Sequence, residues 1–419
     1  MNDSDHGGMS RRTFLRTATV AAAAAGAFGL TRRGDAQDER PLRAGLVGCG
    51  GRGTGAAHDF LNSSKNVTIV GLADAFQNRL DGARQSLKDD KGIDIADDHC
   101  FVGYDAYEKL IGHEDVDIVL LATPPFFRPA HFACAVDAGK HVFMEKPMAV
   151  DPVGCREVMD AAARADQKGL SVVVGTQRRH QKGYLECLQH VRDGAIGDII
   201  GARAYWVGSP LGGWDRTDHP TDLDEQVRSW FHWTWLSGDH IVEQHVHNID
   251  VCNWFVGKHP VRALGFGFRA RKTYGNQYDF FAVDYEYDNG VHMDSLCRQI
   301  AGCDQNVSDW VIGTKGVANC GGHIMDHSGK TIWQFQGDQP NPYVQEHADL
   351  VDSIRNGTPI NEGKEVIESV MTAVMGRMSA YTGKAVTWDQ AMESNMRLGP
   401  EECVSGATYV ADPLPVPGE

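Results

Sequence analysis

The chain lacks any apolar run long enough to cross a bilayer as a helix, which takes about 20 residues. Its longest candidate, the alanine-rich stretch Ala18–Leu30, falls short. Positive charge is also scarce: 40 Lys and Arg stand against 56 Asp and Glu, for a net charge of −16. So acidic a chain argues against nucleic acid and anionic membranes as partners and favours a small, uncharged substrate. The ten cysteines are scattered, with no C-x-x-C pair. Cys49, Cys134 and Cys252 sit in apolar contexts, so buried thiols are expected rather than disulfides. No metallohydrolase motif, internal repeat or long low-complexity linker occurs.

The first residues read as an address. Ser10-Arg11-Arg12-Thr13-Phe14-Leu15 is a twin-arginine pattern, Ala18–Leu30 is the apolar region behind it, and small residues near Ala36 suit cleavage. Residues 1–36 carry five Arg and three Asp, so the remainder is two charges more negative than the whole. Export by this route moves folded proteins. An exported protein that uses a soluble cofactor has no free pool to draw on, so any cofactor it needs is expected to be tightly held. What remains of 419 residues suffices for two domains with sizeable cores.

The apolar run at Leu42–Val47 ends in Gly48, Gly50 and Gly53, a G-x-G-x-x-G pattern that includes Gly51 and Arg52. The run reads as a buried strand feeding a helix at Ala56. Gly48 permits the tight turn, Gly50 lets a pyrophosphate approach, and Gly53 allows close helix–strand packing. A second apolar run, Val67–Ala73, ends in Asp74, where a carboxylate accepts hydrogen bonds from ribose hydroxyls and repels a 2′-phosphate. NAD is therefore expected over NADP, although Arg79 lies within reach.

Helix and strand patterns alternate up to about residue 175. Strands are expected at 117–122, 141–144 and 170–174, and helices at 129–138 and 153–167. This is a doubly wound parallel α/β sheet of the Rossmann type. Ligands in such sheets bind beyond the carboxyl ends of the strands, where Asp74, Thr123-Pro124-Pro125 and Glu145-Lys146-Pro147 all fall. Beyond residue 195 the rhythm changes. Longer strands at 199–207, 261–270, 279–287 and 291–298, with a hairpin signal at Asp288-Asn289-Gly290, predict a mostly antiparallel sheet. Amphipathic helices are expected at 343–356 and 364–381. The domains are thus 37–175 for the dinucleotide, 176–400 for substrate and oligomerisation in an α+β arrangement, and a surface tail at 401–419.

Three groups carry chemistry. Lys146 ends a buried strand and can donate to a substrate oxygen, with Glu145 orienting it or meeting the ribose. On a helix through 237–250, His240, Glu243, His247 and Asp250 share one face. His247 is the candidate base, Glu243 orients it or binds substrate, and His240 and Asp250 face the substrate. A solvated face and a metal site are the alternatives; with no ligand motif, no metal is expected. Thr123, Pro124 and Gln177 are placed at the cofactor edge. Arg179, Trp230 and His232 suit sugar hydroxyls and rings. Trp214 and Asp215 are placed on a loop over the cleft.

Together these motifs resemble the Gfo/Idh/MocA oxidoreductase family, over nearly the whole chain from Leu42 to Tyr381. The carriers are the glycine pattern, Thr123-Pro124-Pro125, Glu145-Lys146-Pro147, and Glu243–His247 followed by Ile249-Asp250. The resemblance implies that Lys146 and His247 act at the substrate carbon facing a nicotinamide. It also implies a cis bond before Pro147, an antiparallel C-terminal sheet and homo-oligomers through that sheet. Glu243 stands where the family has aspartate, and His245 where glycine is common. The expectation is hydride transfer between bound NAD and a hydroxyl of a sugar or sugar derivative. NAD-dependent glycoside cleavage through transient oxidation, and carbohydrate binding without turnover, are the alternatives.

Overall fold

Three apolar runs, β1 (Leu42–Val47), β4 (Ile118–Leu121) and β5 (His141–Met144), pair in parallel with most of their side chains buried under helices. In the computed structural model, which describes residues 40–211, 216 and 218–419, they form the middle of a six-stranded sheet. With β2 (Val67–Asp74), β3 (Cys100–Val102) and β6 (Val172–Val174) the order is β3-β2-β1-β4-β5-β6, parallel throughout. The first helix, Gly51–Ser63, starts at the glycines themselves rather than at Ala56. Loss of propensity at three glycines is outweighed by packing of Phe60, Ala56 and Ala57 into the core.

The second sheet has nine strands: β7 (Ile199–Gly208), β8 (Arg262–Phe268), β9 (Phe280–Glu286), β10 (His292–Gln299), β11 (Asn306–Gly313), β12 (Gly316–Asn319), β13 (His323–Asp326), β14 (Thr331–Gln334) and β15 (Val386–Thr387). Its order is β14-β13-β12-β11-β7-β10-β9-β8-β15. Only β7 and β10 run parallel. The hairpin at Gly290 (φ +78°) joins β9 to β10. Alternating burial along β9 and β10 gives one face packed on helices and one open. The helix Gly363–Thr382 lies on the packed face. A Cβ at Gly265 would stand 2.8 Å from the Gly376 carbonyl, so strand and helix touch backbone to backbone.

The chain then returns. The helix Pro342–Arg355 packs Leu350 and Val351 into the core of the first sheet, so Pro41–Glu419 is one compact unit. None of the ten cysteines is paired, and six are buried. Among the described residues no helix is long and apolar enough to cross a membrane. Residues 1–36, with the twin-arginine pattern, lie outside the described residues, as do Trp214 and Asp215.

The expected continuous helix over 237–250 is broken into Thr234–Ser237, His240–Glu243 and Val246–Val256. Gly238 and Asp239 both have positive φ, +80° and +67°. Asp239 is held there by its side chain. Its buried carboxylate accepts from the backbone N–H of His240 (2.6 Å) and Tyr278 (2.8 Å) and from the Tyr381 hydroxyl (2.7 Å). These bonds outweigh the cost of a left-handed residue. Asp239→Ala leaves two backbone donors buried without partners and the Tyr381 hydroxyl with only Thr234 Oγ1, at 3.4 Å. A loss of about 2–5 kcal/mol is expected, read as a fall in the thermal midpoint.

Candidate active site

The carboxyl ends of β1, β2, β4 and β5 open onto a cavity of about 410 Å³ that reaches across to the broken-helix segment. At one end stands the glycine turn. Gly48 has φ +95°, and a Cβ there would meet the Thr123 backbone nitrogen at 2.6 Å. A Cβ at Gly53 would stand 1.8 Å from the Gly48 carbonyl oxygen, so only glycine lets the helix start against the turn. No side chain caps that helix, and its first turn carries no acid. Its N-terminal N–H groups therefore face the cavity as an anion site, a fit for a pyrophosphate.

Asp74 closes the same end. Its oxygens accept from the N–H groups of Cys49 (2.6 Å) and Phe76 (2.8 Å), which aims the carboxylate and leaves each oxygen a lone pair. Burial pushes its pKa up, and the two backbone donors pull it back. Arg79 lines the wall beside it. Gly50, Gly51, Arg52, Thr123, Pro124, Glu145 and Gln177 also line the cavity. Arg52 Nε pairs with Glu145 Oε1 at 3.0 Å.

The reactive end lies at the Lys146–Pro147 bond, which is cis. Its shape is held by the buried Arg128. Nε donates to the Thr123 carbonyl at 2.8 Å, and Nη1 to the carbonyls of Glu145 (2.9 Å) and Pro147 (2.6 Å). Burial lowers the Arg128 pKa to about 10. Lys146 Nζ donates to Glu243 Oε1 (2.9 Å) and to the Glu243 carbonyl (2.7 Å). One of its three N–H bonds is left for a ligand. Glu243 therefore orients Lys146, not His247, and its other oxygen accepts from Gln244.

His247 lines the cavity with its ring stacked near Trp206, at 5.8 Å between centroids. Its Nδ1 has no hydrogen-bond partner among the described residues. Burial, with the positive charges of Lys146 and Arg178, holds its pKa well below the ordinary 6.5. The imidazole is thus neutral and able to accept a proton. His131 is neutral too, pushed down to about 3 by burial.

Other expected residues fall elsewhere. Trp230 lines the cavity, but His240 is fully buried, edge-on to Phe281 at 5.1 Å, because the break at Asp239 turns it into the core. Arg179 and Asp250 form a buried bidentate pair, 2.9 Å at both contacts, that satisfies both charges away from the cavity. His232 packs against Tyr274 and does not line the cavity. His240, Glu243 and His247 do not gather as metal ligands; among the described residues only His99, His113 and Asp115 come close enough. Tyr104, Arg128, Trp206, Gln244 and Tyr343 are cavity residues that sequence reasoning missed. Gln244 adjoins Glu243 and Arg128 follows Thr123-Pro124-Pro125, so only these two carried a local signal.

Residues 42–175 match the oxidoreductase family with an NAD-binding Rossmann fold, and residues 184–319 match the Gfo/Idh/MocA C-terminal domain. The chain belongs to the Gfo/Idh/MocA family. It is 26% identical over 360 residues to inositol 2-dehydrogenase of Acidothermus cellulolyticus, covering 85% of this chain and 93% of that protein. Inositol 2-dehydrogenase of Salmonella typhimurium is 29% identical over 159 residues, 38% of this chain and 44% of that protein. A glycosyl hydrolase family 109 protein of Shewanella amazonensis is 27% identical over 239 residues, 53% of this chain and 50% of that protein. The chain thus spans half or less of these last two. An aldose-aldose oxidoreductase structure from Caulobacter crescentus shares the fold with TM-score 0.65 at 21% identity, covering 83% of this chain and all of that one (100%).

Gly53→Ala forces a methyl onto the Gly48 carbonyl and displaces the helix N-terminus. Nucleotide titration should show binding weakened by at least about tenfold, with a lowered thermal midpoint.

Proposed function

We propose that this family member oxidises a secondary hydroxyl of a sugar or cyclitol with tightly held NAD. The observation that carries the reading is the meeting of a half-free lysine ammonium and a neutral histidine in the cavity that the glycine turn opens. Bound there, NAD supplies the hydride acceptor. His247 takes the hydroxyl proton. Lys146 donates its remaining N–H to the same oxygen and stabilises its developing charge, in a site where the surrounding dipoles are already fixed. Glu243 holds the ammonium in place. Trp206, beside His247, offers a flat apolar face for a ring with hydroxyl edges.

A second reading is favoured by the family 109 relative: the same base and ammonium suit transient oxidation followed by elimination of a glycoside. Nucleotide-loaded protein incubated with cyclitols, free sugars and glycosides separates the two. Lasting nucleotide reduction supports the first; cleaved glycoside with no net reduction supports the second and overturns the first. The twin-arginine pattern supports export, and acid release of nucleotide from exported protein tests the retained cofactor. Asp74 supports NAD, so extracted nucleotide that is mainly NADP would count against it. The open face of the second sheet exposes Phe266 (63%) and Phe268 (42%), which supports homo-oligomers through that face, measurable by sedimentation.

Lys146→Ala and His247→Ala should each keep nucleotide binding and lower kcat by about 10²–10⁴. The double variant should lose much less than the product, because both groups serve one oxygen and one proton. Because His247 stays neutral below 6.5, its protonation should not appear as an acid limb in kcat/KM near that pH. An inflection at 6–7 lost in His247→Ala would contradict the burial argument.

A further inference from the structure

The Asp74 end of the cavity has a far wall that comes from the second half of the chain. Val227 and Trp230 line the cavity together with Asp74, Gly103 and Tyr104, and pack in one apolar cluster with Phe76 and Tyr104. Val227 belongs to the short helix Leu223–Arg228. That helix is seated on the first sheet's loops at two points. The Arg228 guanidinium lies 3.8 Å over the Phe76 ring, and Arg79 Nη2 donates to the Arg228 carbonyl at 3.3 Å.

One side chain ties three segments together there. Asp224 Oδ1 accepts from the Tyr104 hydroxyl at 2.7 Å. Its Oδ2 accepts from Ser405 Oγ at 2.7 Å and from the Gly406 N–H at 3.0 Å. The C-terminal segment continues as a strap. The Leu223 N–H donates to the Ala407 carbonyl, the Tyr409 N–H to the Thr221 carbonyl, and Gln226 Nε2 to the Tyr409 carbonyl. Gln226 Oε1 in turn accepts from Trp235 Nε1 at 2.7 Å.

We infer that Asp224 is a positioning residue that latches the Leu223–Arg228 helix, under the C-terminal strap, over the Asp74 end of the cavity and thereby slows release of the dinucleotide. The inference rests on the NAD reading above. Val227 stands on that helix and walls the Asp74 end, so lifting the helix widens the way out for a nucleotide gripped there, and lifting requires the bonds at Asp224 to part. Charge-assisted bonds to an aspartate are the stronger kind, and their loss falls mainly on the dissociation rate.

The test loads wild type, Asp224→Ala, Asp224→Asn and Tyr104→Phe with labelled NAD⁺ and chases with unlabelled NAD⁺. Thermal midpoints of the nucleotide-free proteins are read alongside. Release should be about tenfold faster in Asp224→Ala and several-fold faster in Tyr104→Phe, which removes only one hydroxyl. Asp224→Asn, which keeps an acceptor, should fall between wild type and Asp224→Ala. Midpoints within a few degrees of wild type show that the fold is intact. Release at the wild-type rate in Asp224→Ala and Tyr104→Phe overturns the latch while leaving the NAD reading standing. So does acceleration that only follows a falling midpoint across the variants. A wild type that takes up no NAD⁺ overturns both.

Discussion

The site depends on one ion pair, Lys146 to Glu243, at 2.9 Å with both side chains nearly sealed from solvent. Burying two charges costs desolvation that their attraction only partly returns, so such a pair is poor evidence for stability. Its consequence here is positional. The lysine comes from the end of a parallel strand and the glutamate from a broken helix against the second sheet. Each is fixed from behind. Arg128 gathers the carbonyls of Thr123, Glu145 and Pro147 beneath the lysine. Asp239 sets the break that starts the His240–Glu243 turn. The ammonium stands where two separately built frameworks meet, and a shift in either would move it.

Electrostatics at the cavity follow from burial. Imidazoles surrounded by rings and cations lose their protons, as His247 and His131 do. The fixed charges are then mainly compensated pairs: Arg52 with Glu145, Lys146 with Glu243, and Arg178 with Asp309 behind them. Arg128 stands outside this pairing, its charge met by the carbonyls of Thr123, Glu145 and Pro147. The uncapped helix at Gly51 adds positive potential only at the opposite end, where a pyrophosphate is expected.

Five strands of the first sheet were legible because they are largely buried and read as apolar runs, whereas the three-residue, partly exposed edge strand β3 carried no such run. The glycine spacing carried the turn, since Gly48 and Gly53 each answer a backbone contact that a Cβ would violate. What was not legible is tertiary in origin. Nothing local to 237–250 shows that Asp239 finds Tyr278 and Tyr381, so the sequence pattern extends through the break and wrongly turns His240 toward the site. Arg179 and Asp250 look like a polar face until their mutual pairing is seen. The short strands β12 to β14 are too brief for alternation to declare itself, and Tyr104 and Trp206 reach the cavity from loops and strands with no motif of their own.

Long-range closure also explains why the end of the chain matters to the beginning. Tyr343, at the start of the helix Pro342–Arg355, lies under the Arg52 guanidinium at 5.5 Å and accepts from Gln177 Nε2 at 3.2 Å. The helix that carries it is held by Leu350 and Val351 in the first sheet's core. The glycine-turn end of the cavity is therefore bounded by side chains from the first strand's helix, from the loop after β6 and from a helix that follows the entire second sheet. A cavity assembled in this way draws its lining from Val47 through Tyr343 and exists only when those segments are folded together. Cofactor affinity and global stability are then linked by mass action, and a bound dinucleotide stabilises every segment that helps to enclose it.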